Sequence, residues 1–263
     1  MELRSQAEII ETFHLLFLRV LGKGQADWFT LKGGANIRYF FASPRYSNDI
    51  DLDFSGRKSW QVAQTVNSLL TGAALTTLLQ SSKIKLADLS ATKQTDTTLR
   101  WKIGLSASGH LDLIRTKIEF SGRGGESEEV EFAVVPNEIV QPYAIQAPSV
   151  HHYRETAAIE QKIAALALRS ETKARDIFDL DLLLRQRRAV QTDVTGLDGT
   201  YAAEAAERAL SIPFANFTTE VAPFLNAELA ELYEESDWDV MCMAVADYLE
   251  EVAALETQDI GEA

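Results

Sequence analysis

With 263 residues, 46 % of them hydrophobic and 24 % charged, the chain has an ordinary globular balance and enough length for one large domain or two modest ones. No apolar run approaches the roughly 18 residues a bilayer span needs, Met1-Glu2-Leu3-Arg4-Ser5 lacks a signal-peptide layout, and the single cysteine, Cys242, excludes an intrachain disulfide, so a cytoplasmic protein with no membrane partner is expected. The net charge of −14 opposes nucleic acid only until it is located: residues 189–263 hold 17 acidic side chains and one basic, whereas residues 1–188 hold 24 basic and 22 acidic.

In chain order, Ile9, Ile10, Phe13, Leu16, Phe17, Val20 and Leu21 recur at helical spacing and predict a helix over 3–22, stopped by Gly22-Lys23-Gly24. A short strand is expected from Trp28 to Leu31, a glycine break at Gly33-Gly34, then a short helix from Ala35 to Ala42 ending at Ser43-Pro44. Ile50 to Phe54 alternates as a strand, with Asp49, Asp51 and Asp53 on one face and Ile50, Leu52 and Phe54 on the other. A helix over 59–80 follows, then strands over 83–89, 97–105 and 111–120, a flexible turn at Ser121–Glu126 and a strand over 129–135. His151-His152 reads as a loop between domains. Helices are expected over 155–169, 174–188, 199–211, 218–235 and 238–256. The pattern is an α+β domain over 1–150 and a helical domain over 151–263, with the acidic excess in the last helices. That acidic region reads as a solvated face or as a surface for a basic partner.

Two glycines at a strand-to-helix turn let backbone approach a ligand closely, and the helix behind them offers free N–H groups and a positive dipole end, which suits phosphate. About 15 residues on, Asp49 and Asp51 share a strand face, where paired carboxylates can hold divalent cations that activate a hydroxyl and stabilise a leaving pyrophosphate. Either half alone is weak evidence, since Gly-Gly turns and Asp-x-Asp edges are common. Three aspartates on one face repel one another, and a cation relieves that. No His/Cys spacing makes a zinc site, and no nucleophile elbow or Walker loop is present.

Residues 31–54 resemble the first motif of the AbiEii/AbiGii toxin family of nucleotidyltransferases at Lys32, Gly33, Gly34, Arg38, Arg45, Ser47, Asp49 and Asp51. The resemblance implies the DNA polymerase β superfold, with the glycine turn holding triphosphate and the aspartates holding Mg2+, as two ions, Mn2+ being the alternative. On this reading Gly33, Gly34, Asn36, Arg38, Arg45 and Ser47 bind nucleotide, Asn36 and Asp53 being less general features of the family. A third carboxylate is expected on a neighbouring strand. Asp112 and Glu119 both qualify by type, but Ile114, Ile118 and Phe120 make the even face look like core, so Glu119, in Lys117-Ile118-Glu119-Phe120, is preferred. The segments Lys162-Ile163-Ala164-Ala165 and Arg175-Asp176-Ile177-Phe178-Asp179-Leu180 resemble the third and fourth motifs, with Ile163 where the family carries Leu.

By that resemblance Lys162 and Asp176 are catalytic and point into a cleft opposite the aspartate pair, which the helical domain completes; Asp179 and Arg175 fix the helix. The expected reaction moves a nucleoside monophosphate from a nucleoside triphosphate to an acceptor hydroxyl, on tRNA or another RNA, as the toxin of a toxin–antitoxin or phage-defence pair with a cognate antitoxin. The charge split keeps the acceptor off the acidic C-terminal region, and the implied cleft then directs it to the side lined by Arg38, Arg45, Lys162, Arg169 and Lys173. The rivals are transfer to a protein or small molecule, a metal-dependent glycosyltransferase, and a catalytically silent module that scaffolds an antitoxin.

Overall fold

The computed structural model describes residues 4–23, 27–122, 129–190 and 196–261, with side chains to 255; residues 123–126 of the expected flexible turn lie outside these. The chain divides into two units, Met1–Ala42 with Tyr46–Tyr153, and Ser43–Arg45 with Arg154–Ala263. The main boundary falls three residues beyond the expected one, and the short segment around Arg45 belongs with the second unit.

The first unit contains α1 (Gln6–Leu21), β1 (Phe29–Lys32), α2 (Gly33–Phe40), β2 (Asp49–Phe54), α3 (Ser59–Leu70), α4 (Ala73–Ser81), β3 (Ile84–Gln94), β4 (Thr98–Ala107), β5 (Ile114–Ser121), β6 (Val130–Val134), the single turn α5 (Asn137–Val140) and β7 (Ser149–Tyr153). The strands form one mixed sheet in the order β3-β4-β5-β2-β1-β7-β6. β2 runs parallel to β5, β1 runs parallel to β7, and the other neighbours are antiparallel.

Side-chain alternation divides the sheet into two faces. Ile50 and Leu52 of β2, Ile114, Ile118 and Phe120 of β5, and Leu99, Trp101, Ile103 and Leu105 of β4 are buried on one face. That face is covered by α1, α3 and α4, whose Phe13, Leu16, Phe17, Val62, Val66, Leu75 and Leu79 enter the same core. α1 opens with a Ser5–Glu8 capping box, which satisfies two otherwise orphaned amides.

Three expectations are corrected. The helix over 59–80 is two helices, broken at Thr71-Gly72, where a Cβ on Gly72 would meet Ser68 O at 2.8 Å. The glycines do not precede α2 but form its first turn. His151-His152 is no loop: Ser149–Tyr153 is a strand, and His152 stacks on Phe40 at 3.5 Å between ring centroids.

The second unit is helical from Arg154 onward among the described residues: α6 (Glu155–Leu168), α7 (Ala174–Val190), α8 (Ala202–Ala209), α9 (Phe214–Glu220), the single turn α10 (Ala227–Ala230) and α11 (Glu235–Gly261). Ile159, Ile163 and Leu166 of α6 and Ile177, Leu180 and Leu183 of α7 fill its core, joined by Phe217 and Trp238. Trp238 Nε1 donates to Ile212 O at 2.8 Å, so the buried indole is satisfied. The helix expected over 218–235 is replaced by short helical turns, because Pro223 and the Asn226 cap restart the backbone twice. No single helix among the described residues is long and apolar enough to cross a membrane.

Candidate active site

At the β1–α2 junction, antiparallel register sets Lys32 opposite Asp51. Gly33 follows at φ +66°, a region that costs an L-residue strain, and a Cβ there would lie 2.9 Å from Asp51 Oδ2. A glycine is therefore required twice over for the start of α2 to meet the carboxylate. No side chain caps α2, which leaves its first amides without a side-chain acceptor at the positive end of the helix.

Parallel register then sets Asp49 opposite Lys117 and Asp51 opposite Glu119. Asp112 lies exposed in the bend before β5, so Glu119 is the carboxylate facing Asp51. Burial raises the Asp51 pKa, the charges of Asp49 and Glu119 raise it further, and Lys32 and Lys117 oppose them. Lys117 Nζ lies 2.7 Å from Asp49 Oδ2, and Arg100 Nε donates to Glu119 Oε2 at 2.6 Å. With those cations in place, no three His, Cys, Asp or Glu side chains among the described residues are gathered in metal-binding range. The donor chemistry nevertheless fits a hard divalent cation: adjacent carboxylate oxygens whose mutual repulsion already disfavours ionisation of the central one.

The remaining motif residues of this unit hold the frame. Lys32 Nζ donates to Asp53 Oδ1, and Tyr153 OH donates to Asp53 Oδ2 at 2.9 Å. Asn36, buried, donates to Tyr153 O at 2.9 Å, so Asn36 and Asp53 together fix the last residue of β7. Arg38 donates from Nε to Glu11 at 2.8 Å and stacks over the Tyr46 ring at 4.4 Å. Ser47 Oγ donates to Asp49 O at 2.8 Å, tying down the entry to β2.

That entry is also held from the core. Thr116 Oγ1 donates to Asn48 O at 2.7 Å, so its oxygen must accept from His14 Nε2 at 2.8 Å. A hydroxyl has one proton, and a carbonyl can only accept, which fixes His14 as the Nε2–H tautomer. Burial pushes the His14 pKa down to about 3, keeping the ring neutral.

In the second unit, Arg45 forks onto Asp179, with Nη2 at 2.8 Å from Oδ2 and Nε at 3.1 Å from Oδ1. Lys162 Nζ donates to Asp176 Oδ1 at 2.8 Å and lies 2.6 Å from Asp179 Oδ2. Arg169 Nε approaches Asp176 Oδ2 at 3.1 Å. Both aspartates are fully buried. Burial alone would raise the Asp179 pKa, yet Arg45 and Lys162 outweigh it and hold it below the usual value. The family resemblance implies a nucleotide role for Arg45, and nothing in the local pattern marks its pairing with Asp179 across 134 positions. The same cations were expected to line the acceptor's path. In the structure Arg38, Arg45, Lys162 and Arg169 face carboxylates of their own units, and Lys173 pairs with Glu171 and Glu220.

A mixed sheet with a glycine turn set against strand carboxylates is the frame of a nucleotidyltransferase fold. JHP933 of Helicobacter pylori has a similar fold, with a TM-score of 0.63, 17 % identity and 99 % of each chain covered. So does a crystal structure of an H. pylori protein provisionally described as a nucleotidyltransferase, with a TM-score of 0.61, 18 % identity, and 96 % of this chain and 98 % of that one covered. At such identities the likeness establishes the fold. No curated protein matches the sequence significantly. The family described as "Nucleotidyl transferase AbiEii toxin, Type IV TA system" matches residues 17–257. The chain belongs to that family of toxins.

Proposed function

We propose that the chain transfers a nucleoside monophosphate from a nucleoside triphosphate to a hydroxyl of an RNA acceptor, tRNA being the acceptor we favour. The observation that carries this reading is the approach of Gly33 to Asp51, which sets the uncapped start of α2 beside the Asp49, Asp51 and Glu119 carboxylates. Amides at a helix start suit the triphosphate. Asp49 and Asp51, with Glu119, would hold Mg2+ or Mn2+, which supplies charge stabilisation for the attacking and leaving oxygens. The acceptor oxygen bonds to the α-phosphorus as the bond to the β-phosphate bridging oxygen breaks. Pyrophosphate leaves with that electron pair, and the hydroxyl proton passes to a carboxylate of this sheet face. Lys32 and Lys117 moderate the negative charge of the face before substrate arrives.

In the second unit, Lys162 and Asp176 are the further catalytic residues we assign, with the Asp176 carboxylate orienting the Lys162 ammonium. Arg45 and Asp179 are positioning residues of that set. The family description supports a cognate antitoxin as partner; the location we propose is the cytoplasm, where nucleoside triphosphates and RNA occur together.

The test is incubation of the purified protein with total RNA, Mg2+ and each α-labelled nucleoside triphosphate in turn. Label should enter RNA of tRNA size with one or few of the nucleotides. Label found in protein, or in no acceptor while a silent scaffold still binds its antitoxin, would reject the RNA-transferase reading.

A further inference from the structure

We infer that the uncovered face of β3, β4 and β5 is the docking surface for the phosphate backbone of the RNA acceptor; this rests on the transferase reading above and assigns the acceptor's track to that same site. The helices α1, α3 and α4 lie on the core face of these strands. The opposite face carries Lys85 and Lys93 of β3, Arg100 and Lys102 of β4, and Arg115 and Lys117 of β5. Two carboxylates, Asp88 and Glu119, share those strands' face. Six cations against two carboxylates is a strong local excess in a chain of net charge −14.

The excess is organised by strand register. One row across the sheet reads Ser90, Lys102, Lys117, Asp49, and a second reads Lys93, Arg100, Glu119, Asp51, Lys32. Both rows start at the sheet edge and reach the carboxylates of the candidate active site on β2. With strands about 4.8 Å apart, three steps from β3 to β2 span about 14 Å, enough for several phosphates of one strand. Lys85, Lys93 and Lys102 are exposed and make no ion pair with a described residue. Gly104 keeps the middle of β4 flat: a Cβ there would lie 3.1 Å from Arg115 Nη1 and 2.8 Å from Asp88 Cβ, so the Arg115–Asp88 pair crosses directly over it.

Lysines on an edge strand commonly blunt strand-to-strand aggregation, and that accounts for Lys85 and Lys93. It does not account for Lys102 and Arg115, which stand on inner strands. Charge complementarity selects a polyanion. A backbone-reading surface needs no sequence-specific pocket, and among the described residues this face has none of the aromatic anchors typical of a protein interface.

The test compares wild type with the K85Q/K93Q/K102Q variant, which leaves Asp49, Asp51, Glu119 and Gly33 in place. The probe is a fluorescein-labelled RNA duplex with a four-nucleotide 3′ overhang, titrated at several salt concentrations. The variant should bind about tenfold or more weakly at low salt, with the slope of log affinity against log salt flattened by about 2 to 3. Its KM for RNA in transfer should rise while turnover at saturating RNA stays at the wild-type level. Unchanged affinity and slope would overturn the assignment and leave the transferase reading standing. Loss of an acidic protein partner with RNA affinity intact would overturn it in favour of a protein interface. If wild type transfers nothing to RNA yet binds it through these lysines, the surface stands and the transferase reading falls.

Discussion

His14 is the residue whose chemistry is most completely determined by its neighbours. Its ring is fully buried and donates to Thr116, which passes the hydrogen bond on to Asn48, next to Asp49. The unfolded ring titrates near 6.5 and the folded one near 3, so between those values the unfolded chain binds a proton that the folded protein refuses. The folded pKa is depressed: the stability is present above pH 6.5 and is lost as pH falls toward 3. Below pH 6.5 the loss attributable to this ring should approach about 1.4 kcal/mol per pH unit. Denaturant unfolding of wild type and His14→Gln from pH 7 to pH 4 measures it, because Gln keeps a donor for Thr116 but does not titrate. The stability advantage of wild type should shrink steadily below pH 6.5; a difference independent of pH would show that His14 is not held neutral. Arg45 and Asp179 follow a different logic. Their fork is buried, and removing one partner of such a pair commonly costs about 3–5 kcal/mol by stranding the other charge. Sequence inspection could rank both as motif residues, but nothing in the spacing of positions 45 and 179 says that they meet. Contacts of that separation are set by tertiary packing, and local periodicity carries no information about them.

At the scale of elements, α2 shows how one residue type fixes a site. Gly33 is held at φ +66° with Asp51 Oδ2 2.9 Å from where a Cβ would stand. Gly33→Ala should therefore displace the start of α2 from β2, costing about 1–2 kcal/mol of stability from the backbone conformation alone. Transfer should fall by about a hundredfold or more if the shift reaches about 1 Å. Kinetics of transfer on a variant confirmed as folded by circular dichroism checks this; near-wild-type rates would mean that the close approach is incidental. The strands β2 and β5 were legible because both alternate cleanly, and the even-odd assignment of β5 placed Glu119 on the Asp51 side from sequence alone. β7 was not legible. His151 and His152 are polar and follow Pro148, yet His152 is buried against Phe40 and His151 leans on Phe132, so an apolar role was carried by residues that read as loop. The break between α3 and α4 was marked by Gly72 but masked by helical spacing that continues on both sides of it.

For the whole molecule, the sequence separated a sheet-bearing first part from a helical second part because strand alternation is interleaved with helical spacing up to about residue 150 and helical spacing alone follows from residue 155. It also located the acidic excess correctly in the last 75 residues, where some carboxylates serve ion pairs of their own unit, such as Glu251 with Arg188 and Glu220 with Lys173. What it could not show was which cations remain available once folding has paired the rest. In the proposed transferase, Asp49 and Asp51 serve chemistry and not stability. Like charges on one face, and the raised pKa of Asp51 caused by burial and by Asp49 and Glu119, mean that the folded protein bears this carboxylate at a cost. The decisive measurement is therefore a paired one on Asp51→Asn: nucleotide transfer to RNA with Mg2+, and thermal unfolding in EDTA at pH 7.5. Transfer should fall by about a thousandfold or more, because an interaction made for the transition state is lost, while the unfolding midpoint should stay level or rise. Wild-type transfer by Asp51→Asn, or a midpoint that collapses together with activity, would contradict the account.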